Sequence, residues 1–170
     1  MTYTRWWVLL LSVSCAVACE NKPPTNEAES IMRADQGGDF RGVHIGDQPE
    51  KVERMENAET VYSMPDELIY RAYPKGVDST WYEITYNFNN QGLYDISLDV
   101  FPKSVNESDE LKANFITYYK QRYGDCTQAN GYCSWRAMTI NGHFVSITLT
   151  DSLKHDNKPY LRVNFNESNQ

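Results

Sequence analysis

Apolar and polar residues alternate strictly in two neighbouring segments near the middle of this chain. In residues 81–88, and again in residues 93–100, every second side chain is apolar or aromatic, and those between are mostly polar. This period of two is typical of strands in an antiparallel sheet with one buried and one solvated face. Residues 89–92 join the two segments, and Gly92 suits a left-handed backbone position. The pattern therefore predicts a β-hairpin.

Shorter runs of the same kind predict four further strands, which are Leu68–Tyr73, Ser134–Ile140, His143–Thr150 and Leu161–Phe165. Asn141-Gly142 is a strong signal for a two-residue turn, and such a turn would pair Met138 with Val145. Trp135 then falls on the polar face of this second hairpin. The face predicted to be buried carries Met138, Ile140, Val145, Ile147 and Leu149.

Two other segments have the spacing of apolar side chains that predicts amphipathic helices. The first follows Asp47, a candidate cap, has Pro49 in its first turn and ends near Asn57. The second begins at Ser108 and ends at Gly124. The resulting order is helix, three strands, helix, three strands. It predicts an α+β fold of tandem α-β-β-β units, in which two helices pack on one face of an antiparallel sheet.

The chain begins with the three parts of a secretory signal. Arg5 gives it a positive start, an apolar run begins at Trp6, and a small-residue segment follows. Residues Ala16–Cys19 resemble the lipobox of bacterial lipoproteins, which implies that the signal is cut before Cys19 and that its thiol is diacylated. Cys15 is a competing site. Plain secretion and an uncleaved membrane anchor are the alternatives.

The lipoprotein resemblance divides the chain into four parts. Residues 1–18 are the signal peptide, and residues 19–39 are the lipidated cysteine and a flexible tether, because few large apolar side chains occur there. Residues 40–166 form a single α+β domain, and residues 167–170 form a frayed tail. Glu20 stands where inner-membrane lipoproteins of this kind carry aspartate. The resemblance therefore implies attachment to the outer membrane, facing the periplasm.

Two cysteines, Cys126 and Cys133, remain in the folded part of the chain. In an oxidising compartment, two cysteines this close in sequence favour a disulfide. Metal binding is the rival interpretation, but CxxC spacing is absent and His143 is the only histidine near them in sequence. We therefore expect a disulfide, and we expect neither a metal ion nor a cofactor.

The charge and the aromatic content bear on the partners of the protein. A formal net charge of −7 with no basic stripe argues against nucleic acid, whose phosphates require clusters of lysine and arginine. Tyrosine occurs 12 times and tryptophan four times. Such side chains commonly line half-buried strands. The functional alternative is an exposed contact surface for a protein partner, for which the candidates are Trp81, Trp135 and Tyr132.

Sequence motifs for catalysis are missing. The chain contains no GxSxG, HExxH, P-loop or GxGxxG pattern. The histidines His44, His143 and His155 are far apart in sequence, and none follows or precedes a candidate nucleophile. We therefore expect a protein that is not an enzyme.

The segment Gly42–Asp47, followed by Val52, resembles the start of the small SmpA/OmlA (BamE-like) lipoproteins and their β-lactamase-inhibitor-like relatives. This resemblance implies a protein-binding module that assembles or maintains the cell envelope. The second hypothesis is an inhibitor or immunity protein that blocks a basic toxin or hydrolase through complementary charge. The third is a lipoprotein that binds a small ligand in an apolar pocket.

Overall fold

The computed structural model describes residues 26–74, 80–129, 131–153 and 158–168. The predicted signal peptide, Cys15 and the predicted lipidation site Cys19 lie outside these residues. Among the described residues, the helices are α1 Glu27–Ile31, α2 Pro49–Met55 and α3 Val105–Tyr123, with a 3-10 turn at Ala34–Gln36. The strands are β1 Glu59–Met64, β2 Glu67–Ala72, β3 Trp81–Asn89, β4 Gly92–Phe101, β5 Thr127–Ala129, β6 Tyr132–Met138, β7 Phe144–Leu153 and β8 Pro159–Glu167.

The strands form one antiparallel sheet in the order β1-β2-β3-β4-β8-β7-β6-β5. The prediction of helices combined with an antiparallel sheet is confirmed at this level. Two strands at the edges of the sheet, β1 and β5, were not predicted. All six residues of β1 are exposed, so the strand has no buried positions to produce alternation, and β5 has only three residues.

The core lies against one face of the sheet. In-register side chains from neighbouring strands form continuous apolar rows across it, because each strand presents every second residue to this side. One such row is Tyr86, Ile96, Phe165, Ile147 and Trp135. The same buried cluster includes Ile31 of α1, Val52 of α2, and Phe115 and Tyr119 of α3. Full burial of each such side chain stabilises the folded state by roughly 1.5–3 kcal/mol relative to leaving it in water.

The cap of the long helix lies four residues before the predicted cap. The Ser104 hydroxyl accepts a hydrogen bond from the Glu107 N–H, and the Glu107 carboxylate accepts one from the Lys103 N–H. This reciprocal arrangement resembles a capping box and satisfies two donors at the helix start. Ser108 instead lies buried within the first turns. The predicted end at Gly124 is confirmed.

The first predicted helix is α2, and its cap also differs from the prediction. Gln48 is the capping residue, with Pro49 at the first helical position as expected. The Asp47 carboxylate instead accepts from the His44 N–H, 2.7 Å away, and closes a turn before the helix. The backbone at Asp47 then pairs with β4, since its carbonyl accepts from the Leu93 N–H at 2.8 Å. Gly92 has φ +113°, and a Cβ there would lie 2.4 Å from the Gly46 carbonyl oxygen, so this glycine is needed for the close approach.

Residues 26–39 are folded, which contradicts their assignment to a tether. Helix α1 is capped by Asn26, whose side chain accepts from the Glu29 N–H. Ala28, Ile31 and Met32 are at most 1% exposed. Their spacing is that of one helical face, but polar residues around them make the segment polar on average. The folded part therefore begins by Asn26, and at the other end β8 extends through Glu167.

The register of β6 on β7 is one residue away from the predicted one. Met138 pairs with Phe144, and Ala137 pairs with Val145. The turn spans Thr139–His143 and is closed by a hydrogen bond from the Thr139 N–H to the His143 carbonyl. A shift of one residue moves every side chain of a strand to the other face. Trp135 is therefore buried, whereas Met138 and Ile140 are exposed, contrary to the prediction.

Candidate functional site

The sheet has a second face, formed by the side chains that alternate with the core residues. We call it the open face and define it by the outward residues of β2, β3, β4, β6, β7 and β8. None of these side chains that the structure describes is fully buried. The pairing of the strands places them in rows that run across the sheet.

The middle rows of the open face are polar. Ser97 donates to the side-chain oxygen of Asn164 at 3.0 Å, and the Asn87 amide donates to Asp95 at 2.9 Å. Burial raises the pKa of Asp95, although the hydrogen bond from Asn87 acts in the opposite direction. Amides, hydroxyls and a half-buried carboxylate therefore offer both donors and acceptors to anything that docks here.

A row of four charged side chains lies next to this polar area. Strand pairing aligns Arg71, Glu83, Asp99 and Arg162. Arg71 contacts Glu83 at 2.9 Å, and Arg162 binds both oxygens of Asp99, at 2.6 and 2.8 Å. The bidentate geometry fixes the guanidinium group in one orientation. Arg162 nevertheless keeps 47% of its side chain exposed.

Aromatic rings close one end of the open face. Trp81 stacks on Phe101 with ring centroids 3.9 Å apart, and Phe101 contacts Tyr160 at 5.5 Å. Arg71 lies over the Trp81 ring at 4.9 Å. The Tyr160 hydroxyl donates to Asp99, and burial together with this carboxylate raises the pKa of Tyr160. The aromatic end and the charged row are thus one connected network, which we call the aromatic–arginine network.

The three aromatic residues predicted for partner binding have different positions. Trp81 belongs to the aromatic–arginine network. Tyr132 is on the same face and 37% exposed, but four strand spacings away from Trp81, or about 19 Å. Trp135 is 3% exposed, packs on Tyr119 and donates its indole N–H to the Gly124 carbonyl. Its ring is a core element in this structure and belongs to no contact surface.

The predicted disulfide between Cys126 and Cys133 is present, with Cα atoms 5.5 Å apart. It connects the segment after α3 to β6. A disulfide that closes a loop of this size stabilises the folded state by about 2.5 kcal/mol, because it lowers the entropy of the unfolded chain. The bond therefore supports the buried placement of Trp135, which lies two residues further along the same strand.

A second polar cluster, on the core side of the sheet, was not predicted. Arg41 binds both oxygens of Glu56 at 2.7 and 2.9 Å, and it also donates to the Ile31 carbonyl and the Tyr82 hydroxyl. Tyr86 donates to Glu56 at 2.5 Å. Arg41 is 2% exposed and the Glu56 side chain is 0% exposed. The two residues are 15 positions apart, so no local sequence pattern indicates the pair.

The buried pair connects separate segments and does not resemble a ligand site. Burial raises the pKa of Glu56, but the hydrogen bond and the charge of Arg41 outweigh this effect and hold the pKa below its usual value. A cleft of about 500 Å³ lies beside the pair. Arg33 in its lining donates to the Met55 carbonyl at 2.6 Å. Both arginines are therefore already engaged with the protein.

The described part of the chain also limits what chemistry can be assigned. It contains no group of three or more His, Cys, Asp and Glu side chains arranged to hold a metal ion. His44 contacts Asp39 at 3.3 Å, and His143 contacts Glu167 at 2.7 Å.

Among the helices described above, none has the length and apolar content needed to cross a bilayer.

No protein-family model, no curated protein and no solved structure matches the chain. The interpretation of the open face therefore depends on its own chemistry.

Proposed function

We propose that this chain is a non-enzymatic, lipid-anchored protein of the bacterial envelope that binds a protein partner through the open face. The observation that carries the proposal is the aromatic–arginine network, which is held in place by its own hydrogen bonds while Arg162 stays accessible. Tryptophan, tyrosine and arginine are the residues that most often dominate the energy of protein interfaces. An ordered group of them loses little conformational entropy when a partner docks.

The size of the open face fits a protein partner. Six strands span about 24 Å across the sheet, and five rows of outward residues span about 26 Å along it. The resulting area of roughly 600 Å² approaches the 800 Å² that each partner buries in a standard interface. A small ligand would instead need a concave apolar pocket, and the polar rows of this face do not provide one.

The charge of the open face favours an assembly or maintenance role over an inhibitor. Its described outward positions carry three arginines against four carboxylates, which are Arg71, Arg136 and Arg162 against Glu67, Glu83, Asp95 and Asp99. The face is thus nearly balanced although the chain is acidic. An inhibitor or immunity protein that captures a basic target through complementary charge would need a more acidic face, so this function is the second candidate.

The strand order supports two tandem units. Each half of the chain has a helix followed by four antiparallel strands, and the halves meet where β4 pairs with β8. We interpret this order as a duplicated unit with four strands, where the sequence predicted three. The open face then extends across the junction, which doubles the surface that either unit offers.

The proposed anchor is Cys19, on the outer membrane and facing the periplasm. We expect the native chain to fractionate with membranes and Cys19→Ala to be released. Cys15→Ala is the matched control, because the same change at the rival position should leave fractionation unaltered. Membrane association of Cys19→Ala equal to that of the native chain would refute the anchor.

The binding face is tested with a tagged, full-length chain that is crosslinked in cells and recovered for quantitative mass spectrometry. Thr85→Arg places a bulky charge in the middle of the open face, and Gln121→Arg places the same charge on an exposed position of α3. We expect the proteins recovered with the native chain to be retained with Gln121→Arg and lost with Thr85→Arg. Equal recovery with both variants would contradict the proposal.

A further inference from the structure

The turn between β6 and β7 exposes large apolar side chains. We call residues 138–144 the β6–β7 tip. Ile140 is 86% exposed, Met138 is 65% exposed and Phe144 is 40% exposed. Each of these side chains leaves apolar area in water, although burial of that area would be favourable.

The tip is held rigidly despite its exposure. The Thr139 N–H donates to the His143 carbonyl at 2.8 Å, and the His143 N–H donates to the Thr139 hydroxyl at 3.1 Å. The His143 ring contacts Glu167 at 2.7 Å. It also lies against Gly46, where a Cβ would approach its Nε2 to 3.0 Å. The apolar side chains are therefore presented by a braced turn, which lowers the entropy lost on binding.

The tip continues the open face. Met138 and Phe144 are paired, and the neighbouring pair on the same side of the two strands is Arg136 with Ser146. The open face thus has the aromatic–arginine network at one end and an apolar end at the tip. Along a strand these ends are about 26 Å apart.

The position of the amino-terminal helix places the tip away from the proposed anchor. Glu27 of α1 lies close enough to Glu107 and Glu110 for their charges to raise its pKa, after burial as the larger cause. Glu107 in turn accepts from Thr80, directly before β3. The start of the described chain is therefore at the end of the sheet that carries Trp81. Six residues lie between Cys19 and Asn26, so the reach from one to the other is limited to about 25 Å.

We infer that the β6–β7 tip inserts into an apolar pocket on the protein partner, on the side of the molecule that faces away from the membrane. The inference rests on the proposed function and specifies the apolar anchor of the same interface. Its position opposite the tether argues against a bilayer as the occupant, and its continuity with the open face argues for the partner that docks there. An apolar anchor that fills a pocket on the partner, with polar contacts around it, is a common feature of such interfaces.

The first test is photocrosslinking in cells, with p-benzoylphenylalanine in place of Ile140 in the full-length anchored chain. Val105, which is 54% exposed at the start of α3, is the matched control position at the other end of the sheet. We expect a single protein adduct at position 140 that is absent at position 105. An adduct to lipid, an adduct to a second copy of this chain, or no adduct would overturn the inference.

The second test measures affinity for the crosslinked protein after its purification, with the full-length chain in detergent micelles. We expect Ile140→Ser to raise Kd at least tenfold, and Ile140→Leu and Val105→Ser to leave it within threefold. Circular dichroism should be unchanged, because the side chain is exposed. If Thr85→Arg weakens binding and Ile140→Ser does not, the tip inference fails while the proposed function stands. If neither variant weakens binding, the tip inference and the proposed function both fail.

Discussion

Two clusters of arginine, carboxylate and tyrosine lie on opposite faces of the same sheet, and they differ in burial. In both, the guanidinium group binds the two oxygens of one carboxylate, and a tyrosine hydroxyl donates to the same carboxylate. The core cluster is Arg41, Glu56 and Tyr86, and the open-face cluster is Arg162, Asp99 and Tyr160.

The difference in burial assigns the two clusters different roles. In the core cluster both charged side chains are at most 2% exposed, so removing Glu56 leaves the Arg41 charge without water or its counter-ion. Arg162 is 47% exposed, so water can replace its partner and the pair contributes little to stability. The core cluster therefore maintains the fold, whereas the open-face cluster contributes little to stability and remains accessible to a partner.

The largest expected effect is that of Glu56→Ala. The substitution leaves the Arg41 charge buried and unpaired, and we expect it to lower the free energy of unfolding by about 3–5 kcal/mol. Urea unfolding followed by tryptophan fluorescence measures the change. Glu83→Ala, which removes the partner of Arg71 on the open face, is the matched control and should cost less than about 1 kcal/mol. Similar losses in the two variants would remove the distinction between the clusters.

Replacing both residues of the buried pair should lower the free energy of unfolding less than removing Glu56 alone. Arg41→Met combined with Glu56→Leu removes both charges and retains similar volumes. We expect this double variant to be at least about 2 kcal/mol more stable than Glu56→Ala, because no buried charge remains unpaired. The same unfolding measurement applies. If the double variant is less stable than Glu56→Ala, the hydrogen bonds of Arg41 to Ile31 and Tyr82 matter more than its charge.

Acid should weaken the core cluster in a way that depends on Glu56. Its folded-state pKa lies below the ordinary value of 4.5, so the ionised form contributes stability that is present above pH 4.5 and is lost as the pH falls through the folded pKa. We expect the native chain to lose more unfolding free energy between pH 5 and pH 3 than Glu56→Gln does. Parallel pH dependences would show that Glu56 is not the responsible group.

The smallest expected effect on stability is that of Asp99→Asn. We expect a loss below about 1 kcal/mol, because the Arg162 side chain is solvated. The pKa of Tyr160 should fall toward its ordinary value, since Asp99 contributes to its elevation together with burial. Nuclear magnetic resonance of the labelled tyrosine ring during titration measures this change, with Asp95→Asn as the control. An unchanged Tyr160 pKa would mean that burial alone causes the elevation.

The hairpin of β3 and β4 could be predicted well from the sequence, and that of β6 and β7 less well, for a specific reason. In β3 and β4 the alternation covers eight or more residues, and Gly92 marks the turn. In the hairpin of β6 and β7, Asn141-Gly142 indicated a two-residue turn, whereas the structure has a five-residue turn. The resulting shift by one residue exchanged the faces of Trp135 and Met138. A predicted contact residue therefore proved to be core, and a predicted core residue belongs to the exposed tip.

Most of the contacts that the sequence pattern did not predict join residues that are far apart in the chain. Arg41 and Glu56 are separated by 15 residues, and Asp99 and Arg162 by 63. Neither separation corresponds to a helical or strand period, so pattern analysis treats each residue as an ordinary surface charge. Residues 26–39 were missed for a related reason, because three apolar residues gain their significance only from the core that they cover.

The sequence by itself determined the secondary-structure class, the hairpin at Gly92, the end of α3 at Gly124 and the pairing of Cys126 with Cys133, because each depends on residues close together in the chain. Only the tertiary structure decided which strands are neighbours, which face of the sheet the core covers and which charges are buried. A period of two places residues on a common side of a strand, but it specifies neither the partner strand nor the side that packs. Those choices are made by the burial of apolar area between segments distant in sequence.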